Sequence, residues 1–212
     1  MQFIYAKLLF AQGNIAVQQG KAFVYRCINR LDRDTTGLLI LAKNRLSGAL
    51  LSRMSAERKI HRQYLAIATG EIPKCGTIDA PIARACDSAI LRQVDFVHGE
   101  RAITHYRLLK FDGFYSLVLL QLETGRTHQI RAHLASEGHP LAGDTKYGQD
   151  AFNRRYREKY QLKHQLLHAF RLSFPDGMEG RLSDLSGKCF RAPLSAQFER
   201  IIKEEKLGEK LL

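Results

Sequence analysis

The sequence has no long hydrophobic run. Its longer apolar stretches, such as residues 37–42, have the length of a strand and fall far short of the roughly 20 residues that a membrane-spanning helix needs. The first residues also lack the basic segment, apolar segment and cleavage site that in succession mark a signal peptide. We therefore expect a cytoplasmic protein with no membrane partner.

Cysteine is scarce, and the usual metal-binding patterns are missing. The four cysteines are far apart and include no C-x-x-C pair, a spacing that fits neither a zinc site nor a dense disulfide framework. The eight histidines form no H-E-x-x-H pattern. We expect reduced thiols and no bound metal.

Acidic residues are outnumbered by basic ones. The chain has 21 Asp and Glu against 33 Lys and Arg, a formal net charge of +12. A basic surplus of this size indicates an acidic polymer as partner, and nucleic acid is the commonest one. A merely basic soluble protein is the alternative that charge alone leaves open.

The chain shows neither an internal repeat nor a Pro/Gly/Ser-rich linker, so we expect a single domain over residues 1–212. Short apolar runs alternate with turn signals, which predicts an α+β fold with a mixed, mainly antiparallel sheet and flanking helices. Strands are predicted over 36–42 and 59–69. An Asp-Gly pair predicts a hairpin between the runs 104–110 and 115–122.

Four helices are predicted. Asn44 is a candidate cap for the first, whose apolar residues recur at four-residue spacing: Leu46, Leu50 and Met54. The others are predicted over about 127–137, 150–167 and 194–206. The third of the four is strongly basic.

The most informative loop precedes the first predicted strand. Asp32 and Asp34 lie among arginines and are followed by Thr-Thr-Gly and an apolar run. Such a loop places acids at the edge of a sheet, where catalytic side chains often lie. From the residues alone, an ordinary charged turn remains the alternative.

Four blocks of the sequence resemble the RluA-type pseudouridine synthases. Residues 30–37 (R-L-D-R-D-T-T-G) look like the R-L-D-x-x-T-S-G signature, and 124–134 matches T-G-R-T-H-Q-I-R-x-H-L at every fixed position. Residues 138–148 resemble G-H-P-x-x-G-D-x-x-Y-G, and 167–169 resemble a late L-H-A segment. The blocks follow the family's order, and the resemblance covers roughly residues 4–200.

The sequence departs from the family pattern in a few places. Asn29 stands where many members have His, Thr36 where most have Ser, and Arg62 where Lys is usual. Members usually have an earlier strand and a Lys-Pro-Gly-rich segment, and often an S4-type RNA-binding domain before that. We therefore expect a shortened catalytic domain, in which an exposed sheet edge would threaten stability or activity.

The resemblance implies isomerisation of uridine to pseudouridine in RNA, first in large-subunit ribosomal RNA and second in transfer RNA. The reaction involves no redox step, so no cofactor is expected. Asp32 is the implied catalytic carboxylate, either as nucleophile at the sugar or as base. Arg131 is the implied cation that favours its charged form, and Tyr64 would hold the target base against its ring.

The implied fold has a central RNA-binding cleft. Extruding a paired uridine costs a few kcal/mol, so stem-loops and bulges are the expected targets. The residue that would fill the vacated stack is Arg30. Further expected RNA contacts are Arg62, Arg126, His128, Lys146, Arg154 and Arg155.

We expect a monomer, and two other functions stay open. One is an RNA-binding homologue that has lost catalysis through shortening. The other is a metal-dependent nuclease, for which the sequence lacks the acidic clusters that would hold the ions.

Overall fold

The computed structural model describes residues 26–86 and 88–208, so the expectations for the first 25 residues lie outside the described part. The strands are β1 (Arg26–Cys27), β2 (Thr36–Gly37), β3 (Leu41–Ala42), β4 (His61–Thr69), β5 (Cys75–Asp79), β6 (Ile82–Arg84), β7 (Arg92–Val94), β8 (Ile103–Phe111), β9 (Tyr115–Leu122), β10 (Leu167–Ser173) and β11 (Cys189–Arg191). The helices are α1 (Arg45–Ala56), α2 (Gln129–Ser136), α3 (Asp150–Tyr160), α4 (Ala196–Glu204) and a 3₁₀ helix (Gly180–Leu185).

The main sheet of the described part runs in the order β11-β10-β4-β9-β8-β5. Its neighbouring strands are antiparallel, and β2 adds a short parallel pairing to β10. Two small antiparallel ribbons, β1–β3 and β6–β7, stand apart from it. The predicted α+β class with a mainly antiparallel sheet is confirmed.

Alternation along β4 sends its side chains to two different cores. Tyr64 and Ala66 pack in a cluster that includes Ile130 of α2. Leu65 and Ile67 pack on the other face, in a cluster with residues of α3 and α4. Each fully buried aliphatic side chain contributes about 1.5–3 kcal/mol. The sheet therefore separates α2 on one side from α3 and α4 on the other.

Two local predictions are confirmed because neighbouring residues determine them. The Asn44 side chain accepts the backbone N–H of Ser47 at 2.8 Å and so caps α1. In the β8–β9 turn, Asp112 accepts the N–H groups of Phe114 and Tyr115 at 2.7 Å each. A polar side chain thus fixes the start of the helix and the reversal of the hairpin.

Two predicted elements are wrong in part. Residues 36–42 do not form one strand, because only their two ends, β2 and β3, pair with other strands. The predicted α1 stripe is wrong at Leu46, which is 46% exposed, whereas Leu50 and Met54 pack against a core cluster that contains Leu51. Ser47 and Gly48 of α1 are also buried. These small residues let α1 lie close to β1, since a Cβ on Gly48 would be 3.3 Å from the Arg26 side chain.

The basic helix predicted over 150–167 is too long. It ends at Tyr160, and Gln161 adopts the left-handed conformation with φ 55°. Residues 167–173 instead form β10, which pairs with β4 and β11. Helix α3 ends before this segment because a residue that pairs with neighbouring strands cannot remain helical. The C-terminal helix is confirmed as α4, and no helix of the described residues has the length and apolarity to cross a bilayer.

Candidate active site

The loop that carries Asp32 is fastened at several points. Asn29 is buried, and its Oδ1 accepts the N–H of Ile40 at 2.8 Å. The N–H of Thr35 donates to the Asp32 carbonyl at 3.1 Å, which closes a turn. From outside the loop, the Gln165 side chain donates to the Arg33 carbonyl at 2.7 Å. Asp32 therefore sits on a positioned backbone.

The Thr-Thr-Gly sequence after the loop has a structural reason. Gly37 has φ +109°, and a Cβ at this position would lie 2.2 Å from the Ala169 carbonyl oxygen. The Thr36 hydroxyl lies 2.7 Å from Nδ1 of His168, whose Nε2 faces the Ala192 carbonyl at 3.4 Å. Burial lowers the pKa of His168, so its neutral ring donates through Nε2 and accepts the Thr36 hydroxyl through Nδ1.

An open cleft of about 450 Å³ lies between this loop, β4 and the start of α2. Its apolar walls include Leu31, Leu122 and Ile130. The sequence-predicted residues that line it are Arg30, Asp32, Arg62, Tyr64 and Arg126. Residues that lie far apart in the sequence thus meet around one cavity.

Arg131 of α2 is buried and forms an ion pair with Asp144 next to Asp32. Its Nε lies 2.6 Å from Oδ2 of Asp144 and its Nη2 lies 2.9 Å from Oδ1. Its remaining nitrogen, Nη1, lies 3.8 Å from Oδ2 of Asp32. The Asp144 side chain is fully buried, whereas that of Asp32 is 14% exposed towards the cleft. One guanidinium therefore faces two carboxylates.

Asp144 was not among the residues predicted from the sequence. Its Oδ1 also accepts the N–H groups of Lys146 and Tyr147, at 2.9 and 3.1 Å. The available signal was its place in the G-D-x-x-Y-G block, six residues after Gly138. Its cationic partner, Arg131, lies 13 residues earlier in the sequence.

The electrostatics of the site favour a charged arginine and a neutral tyrosine. Burial opposes the charge of Arg131, but hydrogen bonds and attraction to Asp144, and attraction to Asp32, outweigh it and raise its pKa. Burial raises the pKa of Tyr64, and Arg62 opposes that shift only in part. The Tyr64 hydroxyl is therefore protonated at neutral pH.

A second layer lies behind Arg131. The Tyr147 ring centroid is 5.0 Å from the Arg131 Cζ, within range of a cation–π contact. The Tyr147 hydroxyl accepts the backbone N–H of Arg92 at 2.8 Å and lies 2.9 Å from Nδ1 of His128. Burial lowers the pKa of His128, so the neutral ring accepts the Tyr147 proton. His128 itself has φ 55° at the start of α2.

Not every predicted RNA contact joins this cleft. Lys146 is exposed, and its backbone is tied to Asp144. Arg154 and Arg155 lie on α3, which packs against the opposite face of the sheet. Arg155 faces Glu205 at 3.5 Å and the Phe114 ring at 4.6 Å. Their role in RNA binding stays a prediction.

Within 26–86 and 88–208, no three His, Cys, Asp or Glu side chains converge in a way that could hold a metal ion. The ring of His133 is buried between the Thr104 hydroxyl at 2.9 Å and the Ala80 carbonyl at 2.8 Å. His133 is thus a structural residue whose two ring nitrogens are both hydrogen-bonded.

Comparison with known proteins agrees with the geometry. A family model described as RNA pseudouridylate synthase matches residues 5–136. The chain is 40% identical over 177 residues to an uncharacterized RNA pseudouridine synthase of Chloroflexus aurantiacus, covering 84% of this chain and 52% of that protein. It is 38% identical over 181 residues to ribosomal large subunit pseudouridine synthase D of Haemophilus influenzae, covering 82% and 54%.

A solved structure, human RNA pseudouridylate synthase domain containing 1, aligns with a TM-score of 0.62 at 26% identity, covering 87% of this chain and 81% of that one. The chain spans about half the length of the curated relatives that it matches. The sequence blocks, the cleft and these matches agree. The chain belongs to the RNA pseudouridylate synthase family and is of the RluA type.

Proposed function

We propose that this protein isomerises uridine to pseudouridine in RNA, with Asp32 as the catalytic carboxylate. The observation that supports this most is that Asp32 and Tyr64 line one cleft and that Nη1 of the buried Arg131 lies 3.8 Å from Asp32. The three residues come from a loop, a strand and a helix. Family membership supports the reaction class, and the geometry supports this choice of residues.

The reaction requires a group that acts at the ribose. The bond between N1 of the base and C1′ breaks, the base turns, and C5 forms a new bond to C1′. C5 then loses a proton and N1 gains one, so atoms and electrons balance without an oxidant. Asp32 acts on the sugar in its ionised form, as nucleophile at C1′ or as base at the neighbouring carbon.

In this proposal Arg131 orients the Asp32 carboxylate. The permanently charged guanidinium of Arg131, with Nη1 3.8 Å from Oδ2 of Asp32, attracts this carboxylate. Asp144 holds the guanidinium at two points and thereby limits its approach to Asp32. The attraction therefore orients Asp32 without a tight two-point pair, which would block its oxygens from the sugar.

Tyr64 and Arg62 lie on one face of β4 and hold the base and its phosphate. The Tyr64 ring borders the cleft, where an aromatic surface can stack on an extruded uracil. Nε of Arg62 is buried and has no hydrogen-bond partner among the described residues. Gly125 leaves room for this side chain, because a Cβ there would lie 3.0 Å from Arg62 Nη1. We assign Arg62 to an RNA oxygen at this position.

The remaining assignments follow from the relatives and from charge. Relatives such as the Haemophilus influenzae protein are named for the large ribosomal subunit, so we propose large-subunit ribosomal RNA as substrate, with transfer RNA as the alternative. Arg30, exposed at the rim of the cleft, would fill the vacated stack. We propose that the protein acts in the cytoplasm as a monomer without a cofactor.

The test is to incubate the protein with unmodified ribosomal RNA and, separately, unmodified transfer RNA, and to map pseudouridine by carbodiimide labelling and primer extension. Site-specific pseudouridine in one of the two is the expected result. Binding without any pseudouridine would support the inactive RNA-binding homologue instead. RNA cleavage that a chelator abolishes would support the nuclease.

A further inference from the structure

The β6–β7 ribbon places two arginines directly opposite each other. In its register Arg84 faces Arg92, so both side chains leave the same face of the ribbon. Like charges opposite each other destabilise an antiparallel pair. Neither arginine has an acidic partner among the described residues, and the Arg92 guanidinium donates only to the carbonyls of Ile90 and Leu91. Among the residues that the structure describes, no carboxylate offsets this repulsion.

These arginines line a groove that adjoins the cleft lined by Asp32 and Tyr64. The groove has an empty volume of about 760 Å³, and His98 and Arg126 also line it. Its one acidic wall residue, Glu100, is paired with Arg126. Gly125 and Arg126 line the groove and the cleft alike. A strand that leaves the cleft past Gly125 would enter this basic groove.

The turn after β7 presents apolar side chains beside the groove. Oδ1 of Asp95 accepts the N–H groups of Val97 and His98 at 2.8 and 2.9 Å, and the Asp95 carbonyl accepts the N–H of Gly99 at 3.0 Å. On this fixed turn Phe96 is 77% exposed and Val97 82% exposed. An aromatic ring next to a basic groove is the combination that binds single-stranded nucleic acid, by stacking and by phosphate contacts.

We propose that this groove and turn bind the unpaired RNA that continues from the target uridine, with Arg84 and Arg92 on phosphates and Phe96 against a base. The inference extends the proposed function to a second contact outside the catalytic cleft. The ribbon is also anchored to the site, because the N–H of Arg92 donates to Tyr147, which contacts His128. RNA held on the ribbon is thus held in register with the cleft.

The experiment measures RNA affinity without turnover. The probes are a fluorescein-labelled RNA stem-loop with several uridines in the loop and a fully paired RNA of the same length, each titrated at several salt concentrations. The variants are R84Q/R92Q and Phe96→Ser. The matched controls are K188Q/K203Q, which removes the same charge from exposed sites elsewhere, and Phe114→Ser, which removes another exposed aromatic ring from a turn.

R84Q/R92Q should weaken stem-loop binding and lower the slope of log K against log salt by about 1.4, from about 0.7 for each lost phosphate contact on a single strand. Its Tm should not fall, because the change relieves repulsion. Phe96→Ser should weaken stem-loop binding about five- to hundredfold with an unchanged salt slope, and leave the paired RNA unaffected. Both controls should bind both probes within twofold to threefold of wild type.

Affinity and salt slope of R84Q/R92Q equal to those of K188Q/K203Q would overturn the inference. So would self-association of the wild type that Phe96→Ser removes, since the turn would then serve a second copy of the chain. A wild type that binds through the ribbon but makes no pseudouridine would refute only the proposed function. An active enzyme whose binding neither variant changes would refute only the ribbon.

Discussion

Arg131 donates hydrogen bonds to Asp144 from two nitrogens, at 2.6 and 2.9 Å, and its third nitrogen lies 3.8 Å from Asp32. The tighter of the two pairs is the one farther from solvent. Asp144 thus occupies two of the three guanidinium nitrogens and leaves only Nη1 for Asp32. The arginine is fixed in place by a carboxylate that takes no part in the proposed chemistry.

Asp144 is therefore expected to act as a positioning residue. Asp144→Asn keeps an acceptor for the N–H groups of Lys146 and Tyr147 but removes the charge that holds Arg131. Breaking a buried ion pair from one side costs about 3–5 kcal/mol of folding free energy. We expect a single-turnover rate at least tenfold lower at saturating RNA, and a Kd for RNA within a few-fold of wild type. Urea unfolding and quenched single-turnover assays measure both effects.

A substitution that keeps the charge tests whether the two-point contact between Arg131 and Asp144 matters. In Arg131→Lys the charge remains, but a lysine cannot contact both oxygens of Asp144 and face Asp32 at once. The rate should stay well below wild type. A lysine enzyme of wild-type rate would show that charge alone suffices and that the two-point contact is incidental.

Tyr64 allows the ring to be separated from the hydroxyl. If stacking on the base is its main role, Tyr64→Phe should keep most of the activity, whereas Tyr64→Ala should lose about 1–3 kcal/mol of base binding. The measurement is the single-turnover rate of each variant on the same RNA. Equal losses in the two variants would assign the role to the hydroxyl instead.

Gly37 should be essential for the position of the Asp32 loop. Gly37→Ala would have to adopt a left-handed φ of +109° and place its Cβ 2.2 Å from the Ala169 oxygen, so β2 has to move. We expect a loss of several kcal/mol in unfolding free energy, with activity lost as well. Gly113→Ala is the matched control, because it has φ +102° but no atom within 4 Å of the new Cβ.

Gly113→Ala should lose only the backbone strain, about 1–2 kcal/mol, and keep its activity. Urea unfolding of the two variants at one temperature gives the comparison. Equal losses would mean that the close approach of β2 to β10 does not constrain the loop.

Three buried histidines predict a weaker fold in mild acid. Burial lowers the pKa of His128, His133 and His168 below the ordinary value of 6.5. The unfolded chain therefore binds protons first, so this part of the stability is complete above pH 6.5 and is lost as pH falls towards the folded pKa values. The urea concentration at the midpoint of unfolding should be lower at pH 5.5 than at pH 7.5. These two pH values lie about one unit either side of the ordinary histidine pKa of 6.5.

His168→Asn should flatten this pH dependence by removing one of the three titrating rings. The comparison rests on the slope against pH, so a general loss of stability in the variant does not disturb it. A wild-type midpoint that is constant or rises towards acid would contradict the neutral assignment of these rings.

Sequence patterns predicted the features that neighbouring residues determine. The Asn44 cap, the Asp112 turn and the shared face of Arg62 and Tyr64 depend on a few adjacent positions. The end of α3 did not follow from its pattern, because the chain leaves the helix to pair with β4 and β11, and distant strands decide that. Tertiary pairing overrides local preference in such places.

The residues of the site also differ in whether the sequence could identify them. Asp32, Tyr64 and Arg131 were identified through the resemblance, since no spacing rule places a loop, a strand and a helix around one cavity. Asp144 was missed because its importance comes from its contact with Arg131 and not from its neighbours in sequence. The distance of Arg154 from the cleft follows from which face of the sheet α3 covers, and the helix sequence does not encode that face.

The assignment of Asp32 is tested most directly by the single-turnover yield of pseudouridine for Asp32→Asn and Asp34→Asn beside the wild type. Asp34 lies in the same loop but faces Arg33 and His164, each at 3.3 Å. Asp32→Asn should form no detectable pseudouridine while binding RNA within a few-fold of wild type, and Asp34→Asn should remain active. Turnover by Asp32→Asn, or equal loss in both variants, would contradict Asp32 as the catalytic carboxylate.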